Sequence, residues 1–103
     1  MRVLAVDDND ACLRALSDVV QAAGFELAGC ARCGEEAVRL HAELRPDLVL
    51  LDLYLPDIDG RETARRMLEA GQSSRIVLMS AFPSAGILAK ATLTPQLLVE
   101  LSR

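Results

Sequence analysis

A chain of 103 residues fits one domain and is long enough to bury a working core without disulfide staples. Hydrophobic residues at 51% and charged residues at 25% are ordinary for a globular protein and exclude a disordered one. Two Phe, one Tyr and no Trp make the core aliphatic, and a net charge of −4 argues against nucleic acid or anionic membrane as a partner.

Arg61, Arg65 and Arg66 are interleaved with Glu62 and Glu69 and read as a solvated helix face. Three cysteines give no even-numbered disulfide framework, so a cytoplasmic location is expected. The apolar run Val3 to Val6 ends in Asp7 and Asp8, too short for a targeting segment. Asp52 interrupts the longest apolar run well short of a membrane span.

Strand and helix patterns alternate from the first residue. Val3 to Val6 reads as a strand, and Asn9 or Asp10 can cap a helix in which Leu13, Leu16, Val20 and Ala23 recur at helical spacing before Gly24. Phe25 to Cys30 reads as strand two and Glu35 to Leu44 as helix two, stopped by Pro46. Leu48 to Leu51 is a continuous apolar run, expected for a central strand buried on both faces. Pro56 and the Asp59-Gly60 turn lead into helix three, with Ala64, Met67 and Leu68 expected inward and Gly71 at its end. Arg75 to Met79 predicts strand four and Ile87 to Ala89 a short strand five. Thr94-Pro95 then starts a final helix. The alternation predicts a three-layer α/β domain with a parallel sheet. The expectation is a single domain over residues 1–103 with no tethered output module.

In such a sheet ligands bind outside the carboxyl ends of the strands. Asp7 and Asp8 follow strand one, Asp52 ends strand three, Ser80 follows strand four and Lys90 follows strand five. Three carboxylates, a hydroxyl and an ammonium therefore meet at one edge. Clustered carboxylates repel, and a hard cation such as Mg²⁺ relieves them; the absence of His and Cys from these positions argues against a transition metal. Beside a metal, the Asp52 carboxylate can attack a phosphoryl group while Lys90 and Ser80 hold its oxygens. Any one of these residues alone has a simpler reading, a helix cap for Asp8 and a solvated side chain for Lys90. Asp57 and Asp59 read as turn and cap residues. His41 reads as a surface or partly buried helix residue without chemistry.

Val6-Asp7-Asp8 and the segment Leu51 to Gly60 (LDLYLPDIDG) resemble the acidic pair and phosphorylation segment of the receiver domains of two-component response regulators, the CheY-like family. Met79-Ser80-Ala81 and Lys90 resemble that family's switch hydroxyl and lysine. The resemblance covers essentially the whole chain. It implies a flavodoxin-like strand order 2-1-3-4-5 and phosphorylation of Asp52 by a histidine kinase or histidine phosphotransfer protein. It also implies Mg²⁺ held by Asp7, Asp8, Asp52 and the Tyr54 backbone carbonyl, and Ser80 as the conformational switch. No enzymatic activity is implied beyond Mg²⁺-dependent self-phosphorylation and autodephosphorylation.

The chain departs from that family between strands four and five. Only the six residues Ala81 to Gly86 connect them, where the family carries its fourth helix. Six residues span roughly 20 Å at about 3.3 Å each, so an extended crossover into a parallel strand five is expected. Ile87 replaces the family's aromatic residue and Ala91 its proline. The missing helix is expected to uncover Ile76, Val77, Leu78, Ile87 and Leu88. With the final helix these would offer a face for a homodimer or an output protein. Tyr54 and Phe82 are expected to flank the phosphoryl position and slow the attacking water. Two other readings stand beside this one: a constitutive interaction module of the same fold, and a thiol redox protein using Cys30 and Cys33, a C-x-x-C pair between strand and helix.

Overall fold

The sheet is built around β3 (Leu48–Asp52), every residue of which is buried. β1 (Arg2–Val6) lies on one side of it and β4 (Arg75–Ser80) on the other, with β2 (Glu26–Ala31) and β5 (Leu88–Ala89) at the edges. The computed structural model describes residues 1–82 and 86–103, and in it all five strands are parallel in the order β2-β1-β3-β4-β5. Among the described residues four helices cover the sheet: α1 (Asp10–Ala22), α2 (Gly34–Leu44), α3 (Gly60–Glu69) and α4 (Pro95–Leu101). This is the flavodoxin-like arrangement expected, without the helix between β4 and β5 among the described residues.

The period of two along each strand divides the core. Val3, Ala5, Leu48 and Leu50 face α1 and α4, where Leu13, Leu16, Val20 and Leu98 meet them. Leu4, Val6, Val49 and Leu51 face α2 and α3 and pack with Ala37 and Met67. The Asn9 side chain accepts the Cys12 N–H at 3.0 Å and caps α1; Thr94 caps α4 by accepting the Leu97 N–H at 3.1 Å. Pro46 disfavours helical geometry at the residue before it, and Arg45 ends α2 in the left-handed region at φ 47°.

Two readings of single side chains are corrected. Leu68 is 61% exposed, because Thr63 and Met67 take the buried side of α3 and Leu68 is turned about 100° from Met67. His41 is fully buried rather than at the surface or partly buried, with Nε2 2.9 Å from Ser74 Oγ. β2 also begins and ends one residue later than expected, so Cys30 lies inside it.

β5 is parallel to β4, with Met79 opposite Leu88 and Ser80 opposite Ala89. The extended path expected between them falls in part on residues 83–85, outside the described residues. A 3₁₀ turn at Lys90–Thr92 follows β5 and leads to α4.

Candidate phosphoacceptor site

The parallel register decides which side chains share the carboxyl edge. Val6 pairs with Leu51 and Asp52 with Met79, so Asp7, Asp52 and Ser80 each stand at or one step beyond the last paired rung. Asp7, Asp8 and Asp52 each bring a carboxylate oxygen into a group whose members lie within 4.8 Å of one another. Asp7 and Asp52 are buried and Asp8 is exposed, which leaves one open side. Lys90 reaches in from the end of β5, its Nζ 2.6 Å from Asp7 Oδ2 and 3.4 Å from Asp52 Oδ2.

Electrostatics follow from this crowding. Burial, and then the nearby Asp7 carboxylate, push the Asp52 carboxyl above its ordinary value, with Lys90 and the Tyr54 N–H pulling the other way. Burial alone would lower the Lys90 ammonium, but Asp7 and Asp52 outweigh it and raise it. With all three acids ionised, three negative charges and one positive leave an excess of two, the charge of one divalent cation. An all-oxygen donor set of this kind fits a hard cation such as Mg²⁺.

Two more contacts set local geometry. The Asn9 N–H donates to Asp7 Oδ1 at 3.0 Å and orients that carboxylate. The Phe82 N–H donates to Ser80 Oγ at 3.2 Å, which leaves the buried Ser80 hydroxyl hydrogen free to donate elsewhere. Tyr54 and Phe82 are 68% and 79% exposed, so their rings stand in solvent at the rim.

The sequence reading missed how the loop after Asp52 is held. Gly60 N–H donates to the Leu53 carbonyl at 2.7 Å, and a methyl group on Gly60 would overlap the Asp52 carbonyl oxygen and Leu53 Cα. Only glycine permits that approach. Asp59 caps α3 as expected, accepting the Glu62 N–H at 2.8 Å. Asp57 caps a different helix, accepting the Gly34 and Glu35 N–H groups of α2. No local signal ties residue 57 to residue 34; only the fold brings them together.

All three cysteines are free. Burial pushes the Cys30 thiol up, against the pull of Arg32, which is the reverse of what a redox nucleophile requires.

An open parallel sheet with an acidic cluster and a lysine at its carboxyl edge defines a doubly wound α/β protein, a class that binds its ligands at that edge. The sequence model of the response regulator receiver domain matches residues 3–94, and the chain belongs to that family. It is 33% identical over 90 residues to chemotaxis protein CheY of Thermotoga maritima, covering 87% of this chain and 75% of that one. It is 37% identical over 86 residues to a protein-glutamate methylesterase/protein-glutamine glutaminase of Archaeoglobus fulgidus, covering 84% of this chain but 24% of that protein. The signal receiver domain of a modulated diguanylate cyclase from Desulfovibrio desulfuricans G20 superposes with a TM-score of 0.83 at 30% identity, covering 97% of this chain and 88% of that one.

Proposed function

We propose that this chain is the phosphoacceptor of a two-component phosphorelay and that Asp52 takes the phosphoryl group from a histidine kinase or histidine phosphotransfer protein. The observation that carries this reading is the meeting of Asp7, Asp8, Asp52 and Lys90 at one sheet edge in a member of the receiver family. An Asp52 carboxylate oxygen forms the new P–O bond as the donor's P–N bond breaks, and the electron pair leaves with the imidazole nitrogen. The product is an aspartyl phosphate.

Asp7, Asp8, Asp52 and the Tyr54 backbone carbonyl would hold Mg²⁺. When bound, the ion supplies charge neutralisation for the acidic cluster and the phosphoryl oxygens. Lys90, between Asp7 and Asp52, can turn its ammonium toward a phosphoryl oxygen as negative charge develops there. Ser80 has its hydroxyl hydrogen available for a second oxygen. Its movement would carry Ala81 and Phe82 with it through the Phe82 N–H bond and so alter the adjoining surface.

Treatment with acetyl phosphate and Mg²⁺ should label the wild-type chain at one residue and leave Asp52→Asn unlabelled. Label that persists in the variant contradicts the reading.

Signalling then requires a protein partner. Ile76, Val77 and Leu78 of β4 and Leu88 of β5 are only half-buried and, with Leu101, line a groove at the β5 edge of the sheet, whereas Ile87 beside them is buried rather than uncovered. This supports a homodimer or a docked output protein on that face. Sedimentation across micromolar concentrations, with and without beryllofluoride, tests the homodimer; a monomer throughout excludes it. Three free thiols fit a cytoplasmic setting, and no described helix is long and apolar enough to cross a membrane.

A further inference from the structure

We propose that Asp57 is a positioning residue of the phosphoacceptor site: its carboxylate ties the β3–α3 loop, which carries Tyr54, to the N-terminus of α2, and this tie sets the site's affinity for Mg²⁺. The inference rests on the phosphoacceptor reading given above.

The tie is made at the first turn of α2. Its opening N–H groups have no partner within the helix and need an acceptor. Cys33 occupies the N-cap position with extended backbone, φ −148° and ψ 165°, the geometry in which Ser, Thr, Asp or Asn would accept one of them. The Cys33 side chain makes no such bond. Asp57 does so from the loop. Its Oδ1 accepts the Gly34 N–H at 2.7 Å and its Oδ2 accepts the Glu35 N–H at 2.8 Å. Both oxygens are used, both distances are those of charge-assisted bonds, and a negative charge at a helix N-terminus is favoured by the helix dipole. Partial desolvation works against ionisation of Asp57, but the N–H groups of Glu35 and Gly34 hold its carboxyl at about 2.

Packing closes the same junction. A methyl group on Gly34 would overlap Ile58 Cγ1 and Thr63 Oγ1, so α2 and the loop meet without a gap. At the loop's other side, the Gly60 N–H is bonded to the Leu53 carbonyl. The segment between these two anchor points is short and includes Tyr54. The Tyr54 ring, 68% exposed, supplies little packing of its own. Its backbone carbonyl is therefore held by the two anchors, as ligand atoms are generally held by the groups behind them.

A structural cap for α2 alone needs only a hydroxyl at position 33. The chain instead draws that cap from the loop that follows the acceptor, which couples the site to the helix. A hydroxyl introduced at position 33 can restore the cap without restoring the tie, and this separates the two roles.

The test is a Mg²⁺ titration of the full chain, followed by the fluorescence of Tyr54, the single tyrosine, and by calorimetry, with a thermal unfolding midpoint for each variant. Asp57→Ala should weaken Mg²⁺ binding about tenfold, the lower end for groups that position metal ligands, and Asp57→Asn should fall between it and the wild type. Adding Cys33→Ser to Asp57→Ala should recover the unfolding midpoint but leave Mg²⁺ binding weak. Equal affinity in wild type and Asp57→Ala overturns the proposal, as does a double variant that recovers both properties. Should Asp57→Ala not fold, the contrast between the double variant and the wild type decides alone. A wild-type chain that binds no Mg²⁺ overturns the phosphoacceptor reading itself, and this inference with it.

Discussion

The two ends of the sheet treat polar groups in opposite ways. At the amino ends of the strands the Asp47 side chain accepts the Arg2 N–H at 2.8 Å, while the backbone bonds Asp47 to Arg2 and Arg75 to Asp47 at 2.9 Å each. There Ser74 donates to the Pro46 carbonyl at 2.7 Å and bonds His41 at 2.9 Å. At the carboxyl ends, Asp7 and Asp52 are buried together with Asp8 nearby, and one lysine pairs with the two buried acids. One end pairs most of its donors and acceptors, His41 Nδ1 excepted, and stabilises the fold. The other keeps an excess of like charge, which costs stability and prepares a site for a cation and a phosphoryl group.

If this contrast is correct, substitutions at the two ends should separate chemistry from stability. The largest effect is expected from Asp52→Asn, which should abolish phosphoryl labelling while keeping or raising the urea midpoint, because it removes one of several repelling charges. Gly60→Ala should affect both properties, since the added methyl meets Asp52 and Leu53 backbone. A stability loss of about 1–3 kcal/mol is expected by denaturant titration, together with slower labelling. Ser74→Ala, at the amino end, should cost about 1 kcal/mol by the same measurement and leave labelling unchanged.

The smallest expected effect is a pH dependence at the amino end. Ser74 spends its single hydrogen on Pro46, so His41 donates to it from Nε2, which in the neutral ring leaves Nδ1 bare. Among the described residues that Nδ1 is buried without a partner, and burial lowers the His41 pKa from 6.5. The unfolded chain then binds the proton more readily than the folded one. The stability tied to the neutral ring is fully present above about pH 6.5 and is lost as the pH falls below it. Denaturation midpoints between pH 7.5 and 5 should decline more steeply in the wild type than in His41→Gln; parallel curves would remove His41 from the account.

Much of the fold could be read from sequence because the local signals agree. The run Leu48 to Leu51 has no polar interruption, Leu13, Leu16 and Val20 keep helical spacing, and Pro46 and Pro95 mark helix limits that the structure keeps. The meeting of Asp7, Asp8, Asp52 and Lys90 was legible for a different reason: each stands at the carboxyl end of a strand, and a parallel sheet sends those ends to one edge. The rest depended on partners far along the chain. Helical periodicity gave Leu68 the same weight as Met67, although the sheet reaches only one of them. The polar character of His41 predicts a surface or partly buried place, because its partner Ser74 lies 33 residues away. Asp57 reads as a turn or cap residue of its own loop for the same reason, since Gly34 and Glu35 lie 23 and 22 residues away.

Whether Asp52 is the phosphoacceptor is decided by a beryllofluoride titration followed by Tyr54 fluorescence with and without Mg²⁺. Beryllofluoride stands in for the phosphoryl group on a carboxylate, so the wild-type chain should bind it one to one only when Mg²⁺ is present, and Asp52→Asn should not bind it. Failure of the wild type to bind with Mg²⁺ present, or equal binding by Asp52→Asn, would contradict the account.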